Sequence, residues 1–239
     1  MQHTLLAMWR FTRWPHALQS RLMLGGARQY ATHVKNYFEL YPRTFPNGGP
    51  PKDSFIINER QLRREHRGLQ SENHPDIIVG SASIQNSNGE KATSDNQISS
   101  LLNSAYSTIR NPYTRAAYLV RTQHPEKLDI TQDEVSKELI AKFQEQSSEY
   151  SLDYKMLLMT VLEAHESLEM AATEADLEPL SAENDERIRE SEEKLDKLFR
   201  TEPIHWNAIL IETIRLKYWM NIANGIKEWE PGKPVLLTH

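Results

Sequence analysis

The side chains best placed to act on another molecule are His74 and Asp76, which flank Pro75. Proline restrains the preceding residue to an extended conformation and supplies no amide hydrogen, so a helix that leads up to it has to end. An imidazole and a carboxylate would then stand on a tight loop, where a docking protein could meet both. The alternative is an ordinary helix-ending turn, in which the Asp76 carboxylate accepts a hydrogen bond from a nearby backbone amide.

A helix signal precedes this loop. Asn58 can cap a helix whose apolar positions Leu62 and Leu69 lie on one face, seven residues apart. The other faces carry most of a set of four arginines: Arg60, Arg63, Arg64 and Arg67. A protein that docks on this basic surface would meet His74 and Asp76 at its end.

A second helix signal follows the loop. Residues 79–97 are polar and almost without apolar periodicity, which predicts a flexible insertion. Helical spacing resumes at Ile98 and ends before Asn111-Pro112, after which a further helix is predicted through Leu119. The helix that starts at Ile98 can pack antiparallel against the upstream helix and hold the loop between them.

Four motifs give the chain a resemblance to a known family. They are Asn103-x-Ala105-Tyr106, Pro112-x-x-Arg115-x-x-Tyr118-Leu119, Leu216-Lys217-Tyr218-Trp219 and Trp229-x-Pro231-Gly232-Lys233. With the His-Pro-Asp loop, the first two resemble the J domain of HscB-type J proteins, the co-chaperones of iron-sulfur cluster assembly. The last two are similar to the mitochondrial fungal branch of that family. The resemblance covers about residues 36–239 and implies an all-α fold, with a J-domain helical hairpin and a C-terminal antiparallel three-helix bundle.

The resemblance also implies a partner for the basic helix and its loop. A J domain triggers ATP hydrolysis on a DnaK-type chaperone, here a mitochondrial one. The residues implied in chaperone binding are His74, Pro75, Asp76, Arg60, Arg63, Arg64 and Arg67. The chain itself would then be no enzyme, because the partner hydrolyses the ATP.

The C-terminal half can be analysed from its own periodicity. A helix over residues 151–172 carries two adjacent apolar stripes, where one face is enough for a three-helix bundle. One stripe is Leu157, Val161, Ala164 and Leu168, and the other is Leu158 and Leu162. A charged second helix begins near Ser181, and a third runs from about Pro203 to Trp229. The excess apolar area on the first helix is a candidate docking surface.

The family resemblance assigns that surface to an iron-sulfur cluster scaffold protein. By motif position the implied contacts are Leu158, Leu162 and Tyr218, with Glu163, Glu166 and Met170 at the rim. For the first three the alternative is ordinary core, since apolar stripes are usually buried. For the rim residues the alternative is a solvated helix face.

The first residues have the composition of a mitochondrial leader. Five basic residues and no acidic one occur before Glu39, interleaved with apolar residues. We therefore expect a transit peptide over residues 1–30, cleaved after Tyr30, and localisation in the mitochondrial matrix. A basic amphipathic surface helix of the mature protein is the alternative. The remaining boundaries predicted are a J domain over 36–123, a helical connection over 124–150 and the scaffold-binding bundle over 151–232.

Charge and cysteine content bound the function further. Residues 1–125 carry 15 Lys+Arg against 8 Asp+Glu, whereas residues 126–202 carry 9 against 22. A basic front half and an acidic second half suggest two different partners. The chain has no cysteine, which excludes disulfides and Cys-ligated zinc or iron-sulfur clusters on this chain. No stretch approaches the length of a bilayer-spanning helix.

Other classes of function have little support in the sequence. No phosphate-binding glycine loop and no nucleophile signature occur. His165 near Glu166 and Glu169 suggests a solvated side chain rather than a metal ligand. We expect no cofactor, no nucleic-acid partner and no membrane partner. Two alternatives to the iron-sulfur assignment stay open: a J protein with a different mitochondrial client, and an all-helical interaction protein without chaperone activity.

Overall fold

The computed structural model describes residues 36–72 and 90–233. All regular structure in these ranges is helical, which confirms the predicted fold class. The α-helices are α1 (Glu59–Glu72), α2 (Glu90–Arg110), α3 (Pro112–Gln123), α4 (Asp133–Gln146), α5 (Ser148–Met170), α6 (Glu178–Arg200) and α7 (Trp206–Lys227). Two short 3-10 helices, Tyr37–Leu40 and Glu174–Leu177, precede α1 and α6.

Helices α1 and α2 pack against each other, as their apolar spacing predicts. Leu62 of α1 and Ala105 of α2 are fully buried. The His66 ring stacks on Tyr106, with 4.1 Å between ring centroids and 11° between planes. Nearer the end of α1, the Gln70 amide donates to the Asn103 side-chain oxygen at 2.9 Å. The Asn-x-Ala-Tyr motif therefore supplies the α2 side of this hairpin.

The start of α2 corrects one prediction. Residues 79–97 were expected as a flexible insertion, yet α2 begins at Glu90 and residues 90–97 are helical. Missing apolar periodicity identifies a segment without a buried face. It does not exclude helix, since adding a residue to an existing helix costs far less than starting one. Residues 79–89 lie outside the described ranges.

A local cap explains why α3 starts where it does. The Asn111 side-chain oxygen accepts from the amides of Tyr113 and Thr114 at 2.9 and 3.1 Å. Pro112 occupies the first turn, where a missing amide hydrogen costs nothing. The chain thus turns sharply between α2 and α3, and six consecutive α3 residues, 115–120, are buried.

The C-terminal bundle is arranged around α7. This helix packs against α6, α5 and also α3 of the N-terminal part. The stripe predicted to face the core, Leu157 through Leu168, is buried on α5. The region 124–150, predicted as a helical connection, contains α4, which packs on α5 with Phe143 edge-on to Tyr150. The hairpin and the bundle lie in one compact unit, Val34–His239.

A buried ion pair joins α3 to α6. Arg115 is fully buried, and its guanidinium pairs with the Glu192 carboxylate. The same group donates to the Ile109 carbonyl at 2.7 Å and lies 4.5 Å from the centroid of the Phe55 ring. A buried charge is stable only with such partners, so the pair fixes α3 and α6 relative to each other.

The segment before α1 is tied to α6 at the same junction. Phe55 stacks on Phe199, with 5.7 Å between ring centroids. The Asp196 carboxylate accepts from the Ser54 hydroxyl at 2.8 Å and from the Phe55 amide at 2.6 Å. The N-terminal part and the bundle are therefore held through both polar and aromatic contacts.

The lengths and compositions of the helices show whether any of them could span a membrane. Over the ranges that the structure describes, none combines the length and the apolar content that crossing a bilayer requires.

The ion pair gives a stability prediction. Glu192→Gln should lower the free energy of unfolding at pH 7 by about 3 kcal/mol, because it leaves the buried Arg115 charge without its counter-ion. Urea unfolding followed by circular dichroism measures this. The control Glu193→Gln removes an exposed contact with Arg189 and should cost at most about 0.5 kcal/mol. Equal small losses in both variants would contradict a structural role for the pair.

Candidate protein-docking surfaces

The first candidate surface is the outer face of α1. Arg60, Arg63, Arg64 and Arg67 are all exposed, as their spacing predicts. Among the residues that the structure describes, none of the four forms a salt bridge. The acidic residue within this run, Glu65, is buried, and its carboxylate accepts from the Arg43 and Thr44 amides at 2.8 Å each. Turning this carboxylate inward leaves the middle of α1 with a cationic surface.

The sequence prediction assigned the His-Pro-Asp motif to the same candidate surface. His74, Pro75 and Asp76 lie outside the described residues. Helix α1 ends at Glu72, and the paired helix α2 begins at Glu90. In sequence, His74 follows the last residue of the arginine-bearing helix by two positions.

The second candidate surface is the exposed side of α5. Leu158 and Leu162 are 37% and 63% exposed, although both are large and apolar. They lie one turn apart on one side of the helix, next to the buried stripe that begins at Leu157. The alternative that both leucines are ordinary core residues is therefore wrong. Helix α5 packs on α4 and α7, and these contacts leave its far side uncovered.

Tyr218 joins this surface through a second tyrosine. Its hydroxyl lies 2.7 Å from that of Tyr154, and the two rings meet edge to face. Tyr154 precedes Leu158 by one turn on α5, so this contact lies one turn before the leucine pair. Burial raises the pKa of the Tyr218 hydroxyl, and its hydrogen bond with Tyr154 raises it further. Tyr218 is accordingly a neutral, half-buried group at the edge of the apolar surface.

The predicted rim residues are on the same helix. Glu163, Glu166 and Met170 are all exposed. Glu166 lies one turn beyond Leu162, and Met170 one turn beyond Glu166. The structure thus connects Tyr218 through Tyr154 to the helix that carries Leu158 and Leu162, and the rim residues follow the leucines toward the end of α5.

Sequence reasoning missed part of this surface. Tyr154, which bridges the leucines to Tyr218, was not among the candidates. Three further large apolar residues on α5 are exposed: Leu152, Met156 and Met159. The available signal was that apolar residues occur on nearly every side of α5, more than one buried face can use.

The acidic side of α5 offers little to a metal ion. His165 lies 3.6 Å from the Glu169 carboxylate. Nowhere in residues 36–72 and 90–233 do three or more potential ligands come together in a way that could hold a metal.

Comparison with known proteins places this chain in a family. Residues 153–227 match the family model of the HSCB C-terminal oligomerisation domain. The mitochondrial J-type co-chaperone JAC1 of Saccharomyces cerevisiae is 30% identical over 206 residues, which cover 86% of this chain and 95% of that protein.

The chain belongs to the HscB-type family of J-protein co-chaperones of iron-sulfur cluster assembly.

Other members support this membership. The iron-sulfur cluster co-chaperone protein HscB of Mus musculus is 27% identical over 73% of this chain and 63% of its own length. A solved structure of the Saccharomyces cerevisiae Jac1 co-chaperone matches with a TM-score of 0.57 and 28% identity, over 84% of this chain and all of that one. The predicted resemblance to the fungal branch of HscB-type J proteins is thereby confirmed.

The tyrosine pair gives a prediction for this HscB-type protein. Tyr154→Phe and Tyr218→Phe should each lower the free energy of unfolding by about 1 kcal/mol, since each removes the same hydrogen bond. The double variant should cost little more than either single one, giving a coupling energy of about 1 kcal/mol. Urea unfolding of the four proteins measures it. Simple additivity would mean that the two hydroxyls do not depend on each other.

Proposed function

We propose that this co-chaperone binds the iron-sulfur cluster scaffold protein, delivers it to a mitochondrial DnaK-type chaperone and stimulates the ATPase of that chaperone. The observation that carries the proposal is the exposure of Leu158 and Leu162 beside Tyr218, on a helix that already has a buried face. A leucine pair left in water on a well-packed helix indicates a partner that covers it.

The chaperone side of the proposal depends on charge and on the loop. The four exposed arginines of α1 would attract an acidic surface of the chaperone and orient the encounter. His74, Pro75 and Asp76 would then bias the ATP-bound chaperone toward its hydrolysis-competent state. Support comes from the motif itself and from its place directly after the arginine helix.

The scaffold side depends on apolar contact. Leu158, Leu162 and Tyr218 would form its centre, and Glu163 and Glu166 would contact basic residues of the scaffold at the rim. Central apolar anchors surrounded by polar residues are the usual anatomy of a protein interface. Met170 would contribute at the far end of the same helix.

The chaperone-binding and scaffold-binding surfaces would act together because the same folded chain carries both. Arg115 and Glu192 fix α3 to α6, and α7 contacts both α3 and α5. A scaffold protein bound at α5 would therefore be presented to a chaperone bound at α1 at high effective concentration. The co-chaperone needs no catalytic residue for this, since the chaperone hydrolyses the ATP.

The proposed compartment is the mitochondrial matrix. The basic leader over residues 1–30 is the feature that supports import, with cleavage after Tyr30. The printed name of the similar Saccharomyces cerevisiae protein is mitochondrial as well.

The proposed chaperone-binding surface predicts the effect of one substitution. His74→Gln should abolish the stimulated ATPase of the purified mitochondrial chaperone and leave scaffold affinity unchanged, since the two surfaces are separate. Single-turnover ATP hydrolysis measures the stimulation, and calorimetry with purified scaffold protein measures the affinity. His205→Gln, at an exposed histidine before α7, is the control and should stimulate like the parent. Full stimulation by the His74 variant would rule out the J-domain mechanism.

The proposed scaffold-binding surface predicts the effect of a triple substitution. Alanine at Leu158, Leu162 and Tyr218 together should cost several kcal/mol of scaffold affinity, on the order of ~2 kcal/mol for each hot spot before non-additivity. Calorimetry with purified scaffold protein measures it, and circular dichroism checks the fold. Ile56→Ala, which shortens an exposed apolar side chain outside α5, should bind normally. Unchanged affinity of the triple variant would indicate a different client or none.

A further inference from the structure

The motif Trp229-x-Pro231-Gly232-Lys233 has no place in either of the proposed surfaces. Trp229 follows the last residue of α7 by two positions, yet it is only 9% exposed. It packs with Leu168 of α5 and Leu177 of the second 3-10 helix. We call these three residues the terminal clasp, because they join the end of α5 to the chain beyond α7.

The terminal clasp is a second, smaller cluster beside the main core. The stripe residues Leu157, Val161 and Ala164 of α5 pack in the main core. Leu168, the last residue of that stripe, is fully buried and packs in the clasp instead. The last turn of α5 therefore depends on few contacts, and Trp229 supplies the largest side chain among them.

A hydrogen bond from the Trp229 indole completes the end of α5. Its Nε1–H donates to the Leu168 carbonyl at 2.9 Å, across 61 positions of the sequence. In a continuing helix that carbonyl would accept from the amide of Ala172. The Ala172 amide donates instead to the Asp176 carboxylate at 3.0 Å. The indole thus takes the place of the helical donor, since the last carbonyls of a helix need partners from outside it.

The indole ring is not enclosed on every side. Together with Leu177 and Ile226, Trp229 lines a cleft of about 340 Å³. Packing alone therefore leaves the orientation of the ring open, and the hydrogen bond to the Leu168 carbonyl selects one orientation. A phenylalanine at this position would keep an apolar ring in the clasp and lose that bond.

The clasp also determines which way the predicted rim residues face. Glu166 and Met170 lie two residues before and two residues after Leu168. Two residues correspond to about 200° around a helix, so both side chains leave α5 on the side opposite Leu168. Both are exposed. Burying Leu168 under Trp229 therefore directs Glu166 and Met170 outward.

We propose that Trp229 is a positioning residue of the scaffold-binding site: it holds the last turn of α5 so that Glu166 and Met170 are presented to the scaffold protein in one orientation. This inference rests on the proposed function. Trp229 acts from the opposite side of α5 and does not itself contact the scaffold protein. Its contribution is preorganisation, because a helix end that is ordered before binding loses less conformational entropy when the partner arrives.

Trp229→Phe in the full chain tests the hydrogen bond. Hydrogen exchange followed by mass spectrometry should show faster exchange in peptides from the last turn of α5, and unchanged exchange in α1 and α3. Calorimetry with purified scaffold protein should show about a fivefold loss of affinity, which corresponds to one hydrogen bond of about 1 kcal/mol. The matched control is Trp206→Phe, at a half-buried tryptophan at the opposite end of α7, and it should change neither measurement.

A second comparison separates positioning from a general structural role. If Trp229 acts through Glu166 and Met170, removing those two side chains should remove its effect. Glu166→Ala/Met170→Ala should bind scaffold protein more weakly than the parent, and adding Trp229→Phe should change the affinity by less than about twofold. Losses that multiply in the triple variant would overturn the inference, because sites that act independently are additive in free energy.

The outcomes separate this inference from the proposed function. If the parent binds scaffold protein and Trp229→Phe binds equally well, the inference fails alone. It also fails if Trp229→Phe accelerates exchange throughout the chain, because Trp229 would then support the whole fold rather than the end of α5. If the parent does not bind scaffold protein, the proposed function fails and the inference with it.

Discussion

The structure depends on a guanidinium with no access to water. Arg115 is fully buried between α3 and α6, where the Glu192 carboxylate, the Ile109 and Arg110 carbonyls and the Phe55 ring compensate its charge. A buried cation of this kind tolerates few geometries, because each lost contact leaves a desolvated charge. It therefore fixes α3 relative to α6, and both of these helices pack on α7. The proposed delivery of a scaffold protein to a chaperone would need such a fixed distance between the two surfaces.

Periodicity predicted the part of α5 that a neighbour buries, and the resemblance to the family predicted the part that it leaves exposed. Leu157 and Leu158 show why both were needed. They are the same residue type in adjacent positions, and only the packing of α5 on α4 and α7 makes one core and the other surface. Spacing determines which residues share a face. It does not determine how many neighbouring helices cover that face.

Contacts between residues distant in sequence could not be predicted from spacing either. The ion pair joins Arg115 to a residue 77 positions away, and Glu192 is one of many carboxylates on a charged helix. Tyr154 acquires its importance only from the α7 residue that it contacts. The start of α2 was missed because residues 90–97 form helix without the apolar repeat that predicts one. Local patterns determine helices well, whereas partners distant in sequence follow from the whole fold.

The burial of α3 limits how the molecule can be divided. Six consecutive residues of this helix are enclosed, so it has no solvated face of the kind expected for the outer helix of an independent module. Part of that enclosure comes from α7, which lies near the other end of the chain. A fragment cut after Gln123 would expose the part of α3 that α7 covers. The J-domain hairpin of this protein thus shares one hydrophobic core with the bundle.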